Sequence, residues 1–274
     1  MGAINKRKQN GGFTIIELLT VMSVIIILIG LLAPALNMVR RFAWDVKQKN
    51  QFKSIEVALE TFNAEWDGYP PSGWSGNIGD YYCGSAKLCE AVLGQDLLGF
   101  NPNARFTYPD LTYPQSVASG DLSNRRKYLP LENARANRLG NLYPDQLNVD
   151  LSNASLPGNI FVLCDVYPNL TNNETGRSTG MPVLYFRADI TATNAKNISD
   201  LYHFTDNMPI LELGIPWRPA QPEHNLTADI FYDQIKNENI PGVERPYREG
   251  TFILLSAGYD GVYGTEDDIY NFEK

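Results

Sequence analysis

The sequence predicts an α+β protein: a long N-terminal α-helix, transmembrane and then amphipathic, packed against an antiparallel β-sheet head with long loops. An apolar run follows the first dozen residues, and its apolar spacing then changes to that of one helix face. Further on, short apolar runs alternate with stretches rich in Gly, Asn and Pro, which is typical of strands joined by loops. The 274 residues, 43% hydrophobic, are enough for a sizeable core.

The apolar run is long enough to cross a membrane. Residues 18–36 carry no charge, and as a helix they extend roughly 28 Å, about the thickness of a hydrocarbon core. The basic residues 6–8 precede the run, which predicts a cytoplasmic N-terminus and a head on the other side of the membrane. Arg40 and Arg41 follow the run and weaken the charge argument.

A secretory signal peptide is the alternative interpretation of this segment. Its cleavage site of small residues would follow the apolar region, and Ala33-Pro34-Ala35 comes nearest to one. The pair Gly11-Gly12 instead precedes the apolar region. Within a helix, Pro34 removes one backbone hydrogen bond, so a kink or local loosening is expected there.

The helix is predicted to continue beyond the membrane. Apolar residues from Val39 to Trp66 recur mostly at steps of three and four, and Gly68 with Pro70-Pro71 predicts the helix end. The charged residues assigned to the opposite face are Lys47, Lys49, Lys53, Glu56 and Glu60. The predicted segments are a leader (1–12), a transmembrane or assembly helix (13–40), an amphipathic helix (41–67) and a globular head (68–274).

Within the head, strand-like runs occupy residues 159–166, 182–188, 209–213 and 251–256, and a short helix is expected near 88–98. Cys83 and Cys89 are close enough to close a small loop, and Cys164 is left over. Outside the cytoplasm a Cys83–Cys89 disulfide is expected, with three buried thiols as an equal alternative.

Charge and motif content exclude several functions. The net charge is -8, and removal of residues 1–12, with three basic residues and no acid, makes it -11. Such an acidic product argues against nucleic acid as a partner and is compatible with divalent cations. No Gly-x-Ser-x-Gly elbow, phosphate loop or His-Glu-x-x-His occurs, so a non-enzymatic protein is predicted. The rival is a membrane-anchored binding or enzymatic domain.

One acid, Glu17, lies near the start of the apolar span, where a carboxylate is costly and suggests function. If cleavage follows Gly12, Glu17 lies one helical turn from a new amine on Phe13. An ammonium from a neighbouring subunit would neutralise the glutamate and set the axial register of helix packing. The alternative is that Glu17 lies at the headgroup boundary of a plain signal anchor.

A second acidic cluster lies at the C-terminal end, in residues 256–269. Its four carboxylates are Asp260, Glu266, Asp267 and Asp268. A hard cation with oxygen ligands would relieve their repulsion, and the neighbouring glycines let backbone carbonyls turn inward. The spacing does not fit an EF-hand, and an acidic surface turn at an Asp-Gly hairpin is the alternative.

The N-terminal motif Gly12-Phe13-Thr-Ile-Ile-Glu17-Leu-Leu resembles the signature of type IV prepilins and of the pseudopilins of type II secretion. The resemblance implies a pilin-like fold, cleavage between Gly12 and Phe13, N-methylation of Phe13 and Glu17 as the assembly glutamate. Pro34 also matches a proline in the helices of these families. The region from Gly73 to Gly250 has no counterpart and implies an enlarged head.

The C-terminal cluster resembles the calcium loop of major pseudopilins, in which Ser-x-Gly-x-Asp-Gly leads to Gly-Thr-x-Asp-Asp-Ile. By this resemblance Asp260, Asp267 and Asp268 are side-chain calcium ligands. Backbone carbonyls near Ala257 and Thr265 would complete the shell, and Glu266 would point outward.

Together these resemblances imply a structural subunit of a type II secretion pseudopilus or a type IV pilus-like filament. The implied partners are copies of itself, a prepilin peptidase, an inner-membrane assembly platform and minor pseudopilins. The implied location is the bacterial inner membrane, with a periplasmic head, and then a periplasmic or cell-surface filament. A minor tip subunit is a further alternative.

Overall fold

The computed structural model describes residues 12–77, 80–102, 106, 124–150, 156–191, 197–216, 223–240 and 242–273. The helices are α1 (Ile15–Trp66), α2 (Gly84–Leu93), α3 (Leu131–Ala134), α4 (Leu139–Leu142), α5 (Ile198–Leu201), α6 (Met208–Glu212) and α7 (Ala228–Ile235). The strands are β1 (Ala136–Arg138), β2 (Phe161–Leu163), β3 (Leu170–Thr171), β4 (Ser178–Thr179), β5 (Leu184–Arg187), β6 (Phe252–Ser256) and β7 (Ile269–Tyr270). The α+β class is therefore confirmed.

The long N-terminal helix is confirmed with nearly the predicted bounds. It runs through Pro34 and ends where Asp67 adopts a left-handed φ of 54°, just before Gly68. Its length and apolar composition are sufficient to cross a membrane, properties that a membrane span and a signal sequence share. The side chain of Pro34 lies outside the described part of the chain, and the kink there stays a prediction.

The chain divides into two units, Met1–Ala43 and Trp44–Lys274. In the first unit the large apolar side chains of the described residues are 43–85% exposed, and they lie on every side of α1. A helix that is apolar all round is stable only inside a membrane or among other apolar surfaces. The exposed apolar side chains of this unit therefore require apolar surroundings.

In the second unit, α1 buries one face against the head. Phe52, Ile55, Leu59 and Phe62 are each at most 2% exposed and pack in one core cluster with α2. These are four of the positions that the helical spacing predicts to be apolar and inward-facing. Helix α2 confirms the predicted short helix, beginning four residues earlier than expected.

The central sheet has the order β5-β6-β7, with all pairs antiparallel. Tyr185 and Leu254 lie in the core cluster that contains α1, whereas Phe186 and Ile253 lie in a second core cluster. Burial on both faces explains why β6 is apolar along its length and lacks the alternation of a half-exposed strand. The pairs β1–β2 and β3–β4 form two further small antiparallel sheets.

The prediction of a strand at residues 209–213 is wrong, because this run forms most of α6. Pro209 occupies the first turn of α6, where its missing N–H costs no hydrogen bond and its fixed φ suits a helix. An apolar run of this length has too little periodicity to distinguish a strand from a buried helical turn.

The assignment of Glu56 to the charged outer face is also wrong, because its side chain is buried. Glu56 Oε1 accepts hydrogen bonds from Arg248 Nη2 at 2.7 Å and Asn271 Nδ2 at 3.0 Å. Lys53 Nζ lies 3.1 Å from Glu56 Oε2. A carboxylate can be buried at this position because three donors replace its water.

Cys83 and Cys89 do not form a disulfide in this structure. All three cysteines are buried free thiols, which is the second of the two predicted alternatives. Cys83 caps α2 and Cys89 lies within it, and the two side chains pack in different core clusters. Their close spacing in sequence does not bring them together because the helix turns them toward different parts of the core.

Candidate functional site

The predicted cleavage point lies just before α1. Gly12 and Phe13 have no regular secondary structure and are exposed, with Phe13 82% exposed. An exposed, non-helical peptide bond is accessible to a peptidase. The remainder of the leader, residues 1–11, lies outside the described residues.

Glu17 belongs to a capping box at the start of α1. Its Oε2 accepts hydrogen bonds from Thr14 N at 2.9 Å and Thr14 Oγ1 at 2.7 Å, and Glu17 N lies 3.3 Å from Thr14 Oγ1. Thr14 is thus the N-cap and Glu17 the third helical residue. This role was not predicted from the sequence, although the pattern Thr-x-x-Glu before an apolar run is its recognised signal.

The acidic loop, residues 257–268, connects β6 to β7. Two glycines allow its backbone to close tightly. An added Cβ on Gly258 would lie 2.1 Å from the carbonyl oxygen of Asp267, and one on Gly264 would lie 2.3 Å from Leu226 N. Both glycines have positive φ, so these close approaches require residues without a side chain.

The three predicted carboxylate ligands all lie in this loop and bond to its backbone or side chains. Asp267 Oδ2 accepts from Asp260 N at 2.9 Å, and Asp267 Oδ1 accepts from Thr265 Oγ1 at 2.6 Å. Asp260 Oδ1 accepts from Val262 N at 2.7 Å. Asp267 therefore ties the two ends of the loop together.

Asp268 has one satisfied and one unsatisfied oxygen. Its Oδ2 accepts from Gly264 N at 2.7 Å, whereas its buried Oδ1 has no hydrogen-bond partner among the described residues. Burial, together with the negative charges of Asp267 and Asp260, raises the pKa of Asp268 to about 8. Asp268 also lines an open hollow with Thr265 and Tyr270, which gives access from solvent.

The carboxylate oxygens of Asp260, Asp267 and Asp268 are suitable ligands for a hard cation, but they do not converge on one point in this structure. Carboxylate oxygens are the ligands that calcium prefers, and the orphaned Asp268 oxygen lacks the positive partner that a buried carboxylate needs. Within the described ranges, however, no group of three or more acidic, His or Cys side chains is gathered closely enough to hold a metal ion. Binding would therefore require side-chain rotation in the loop.

The two residues predicted to supply backbone carbonyls, Ala257 and Thr265, both lie in the acidic loop. Ala257 is fully buried, and the Thr265 carbonyl oxygen accepts a long hydrogen bond of 3.4 Å from Asp268 N. Glu266 is exposed, as the resemblance implies for a residue outside the shell.

Replacing Gly258 by alanine is expected to destabilise the protein by about 3 kcal/mol, because a left-handed φ and a backbone collision add together. Gly176 has the same φ of 64° but no atom within 4 Å of an added Cβ. Gly176→Ala should therefore cost only about 1 kcal/mol. Urea unfolding followed by near-UV circular dichroism measures both, and equal losses would contradict the tight closure of the loop.

Comparison with known proteins identified no relative. No family model matches the chain, and neither does a curated protein or a solved structure.

Proposed function

We propose that this protein is a structural subunit of a type II secretion pseudopilus or type IV pilus-like filament, made as a membrane-inserted precursor. The observation that supports this most directly is the first unit, whose helix is apolar and exposed on every side and has a single carboxylate, Glu17, in its first turn. Such a helix is stable in a bilayer before assembly and among copies of itself afterwards.

In this proposal a prepilin peptidase cuts between Gly12 and Phe13, and the new amine is N-methylated. Glu17 then has two partners. Its Oε2 caps its own helix through Thr14, and its Oε1, which the capping box does not use, faces the ammonium of a neighbouring subunit. Any other register would leave both charges unpaired in an apolar environment, so the pair selects one axial offset.

The head in this proposal is pilin-like, with the sheet β5–β7 and helix α2 covering the C-terminal half of α1. The acidic loop holds calcium through Asp260, Asp267 and Asp268, with backbone carbonyls near Ala257 and Thr265. The ion supplies the positive charge that the loop lacks and fastens the β6–β7 connection, so that the head keeps one shape in the filament.

The proposed path begins in the bacterial inner membrane, with the head in the periplasm. It continues through an assembly platform to a periplasmic or cell-surface filament that also contains minor pseudopilins. Nucleic acid has no part in it.

Mass spectrometry of the protein purified from cell membranes tests the proposal. The expected N-terminal residue is a methylated Phe13. Gly12→Val should retain the leader, and Gly11→Val, one position away, should be processed normally. An intact Met1 on singly dispersed wild-type molecules would contradict the proposal and favour the rival, a membrane-tethered binding or enzymatic domain.

Electron microscopy with antibodies against the head distinguishes the kinds of subunit. Labelling along the whole filament is expected for a major subunit, and labelling confined to one end would identify a minor tip subunit. Absence of labelled filaments in cells that process the protein normally would contradict a structural role.

A further inference from the structure

Residues 164–169, called here the bridge, lie between the acidic loop and α1. The bridge has no regular secondary structure apart from the isolated pairing of Cys164 with Pro182. Most of its backbone N–H and C=O groups therefore have no partners within a helix or sheet and must form hydrogen bonds with other parts of the protein.

On one side the bridge contacts the acidic loop. Asp165 Oδ2 accepts from Ser256 Oγ at 2.7 Å, and Ser256 Oγ lies 3.3 Å from Gly258 N. Asn169 Nδ2 donates to the Gly258 carbonyl at 3.1 Å. Gly258 in turn is the residue that approaches the backbone of Asp267 too closely to carry a Cβ. The position of a proposed cation ligand is thus connected to the bridge through one tight contact.

On the other side the bridge contacts three residues of α1 spaced three apart. Tyr167 Oη donates to Asp45 Oδ1 at 2.6 Å, Val166 N donates to Gln48 Oε1 at 2.9 Å, and Gln51 Nε2 donates to the Cys164 carbonyl at 2.9 Å. Gln48 and Gln51 are buried polar residues at the beginning of the part of α1 that packs on the head.

Asp165 holds the two sides together. It is fully buried, and its Oδ1 accepts from Tyr167 N at 3.2 Å and from Met181 N at 3.1 Å while Oδ2 holds Ser256. The Tyr167 ring also contacts the rings of Trp44 and Tyr259, with centroid distances of 6.5 and 6.4 Å. These contacts connect the loop at Gly258 to the groups that hold Asp45 and Gln48.

We infer that cation binding in the acidic loop is transmitted through the bridge to the Asp45–Gln51 turns of α1 and fastens them to the head. The inference rests on the proposed calcium role of the loop. The bridge takes its partners from both sides, so an ion that binds the loop only while the bridge contacts are made also stabilises the attached helix. Calcium thereby controls how firmly the assembly helix is held at the point where it meets the head.

Hydrogen exchange of the full-length processed protein in detergent micelles, with calcium or with chelator, tests this. At free calcium of about 100 times its Kd, exchange at residues 45–51 and 164–169 should slow by up to about a hundredfold. The far end of α1, residues 60–66, should change little, because Trp66 and Glu65 bond to Tyr128 instead.

Two mild variants test the route. Tyr167→Phe removes the hydroxyl bond to Asp45, and Asn169→Ala removes the amide bond to Gly258. Each should retain calcium binding by calorimetry and reduce the slowing at 45–51 by about fivefold, the equivalent of one hydrogen bond. Tyr69→Phe, which loses a similar bond donated by the tyrosine hydroxyl to α1 residue Glu60, is the matched control and should keep the wild-type response.

The outcomes separate this inference from the proposed function. Calcium binding that protects the loop but leaves residues 45–51 unchanged overturns the coupling while the calcium site stands. Full slowing in both bridge variants overturns the route. Absence of calcium binding by calorimetry overturns the calcium site and the coupling together, and leaves the filament role to be judged by the processing experiment.

Discussion

Filament assembly is expected to fail when Glu17 is replaced by alanine, although the variant should still be inserted and processed. In the assembled helix bundle the ammonium of the neighbouring Phe13 would lose its partner. An unpaired charge in the hydrocarbon region costs roughly 2.5–3.5 kcal/mol, which corresponds to about a hundredfold weaker addition of each subunit. The measurement is the amount of sheared filament relative to processed membrane protein.

The capping box of Glu17 supplies a sharp control for this prediction. Glutamine also serves at the third position of a capping box, so Glu17→Gln keeps the helix start but removes the charge. Thr14→Ala does the opposite, since it removes the cap at a cost of about 1 kcal/mol and leaves the carboxylate.

If the charge sets the register, Glu17→Gln fails like Glu17→Ala, whereas Thr14→Ala still assembles. If Glu17 serves only to begin the helix, Glu17→Gln assembles normally and Thr14→Ala is the impaired variant. The second pattern would contradict the proposed ammonium pair while leaving the membrane helix itself unaffected.

Calcium is expected to raise the melting temperature of the full-length protein by roughly 5–10 °C when present at about 100 times its Kd. This estimate follows from about 2.7 kcal/mol of binding linkage and the temperature shift typical of a domain this size. Asp267→Asn combined with Asp268→Asn should abolish the rise, since calcium affinity falls when two of the three charged ligands become neutral. Differential scanning calorimetry with calcium and with chelator gives both values.

Asparagine is preferred to alanine in this test because Asp267 and Asp268 accept hydrogen bonds that hold the loop without any ion. Each amide keeps one acceptor oxygen and removes the charge. Glu266→Gln removes a charge from the same loop at an exposed position and should retain the full calcium response. If the double variant melts below wild type by the same amount with calcium and with chelator, the two aspartates do not act through calcium and the calcium claim fails.

Local sequence patterns predicted the elements in which apolar residues recur regularly over many positions or form an almost uninterrupted apolar run. The extent of α1, its change from all-apolar to one-sided, and the strands at β5 and β6 all agree with the sequence analysis. Each of these depends on side chains close together in the chain, which share one face of one element.

Polar positions that depend on distant partners were not predictable in this way. Glu56 is buried because Arg248 and Asn271, at separations of 192 and 215 residues, supply its hydrogen bonds. Likewise, Asp165 and its bridge carry no motif, since their role comes from lying between α1 and the acidic loop.

The amino-acid sequence by itself therefore determined that this protein has an N-terminal helix apolar enough to cross a membrane, with one acid, Glu17, near its start. It also determined that the C-terminal loop is acidic. Only the tertiary structure decided that the run 209–213 is mostly helical, that the cysteines stay apart, and that one buried oxygen of Asp268 has no donor among the described residues. The physical reason is that burial and hydrogen-bond satisfaction are properties of the packed chain, in which partners far apart in sequence replace water.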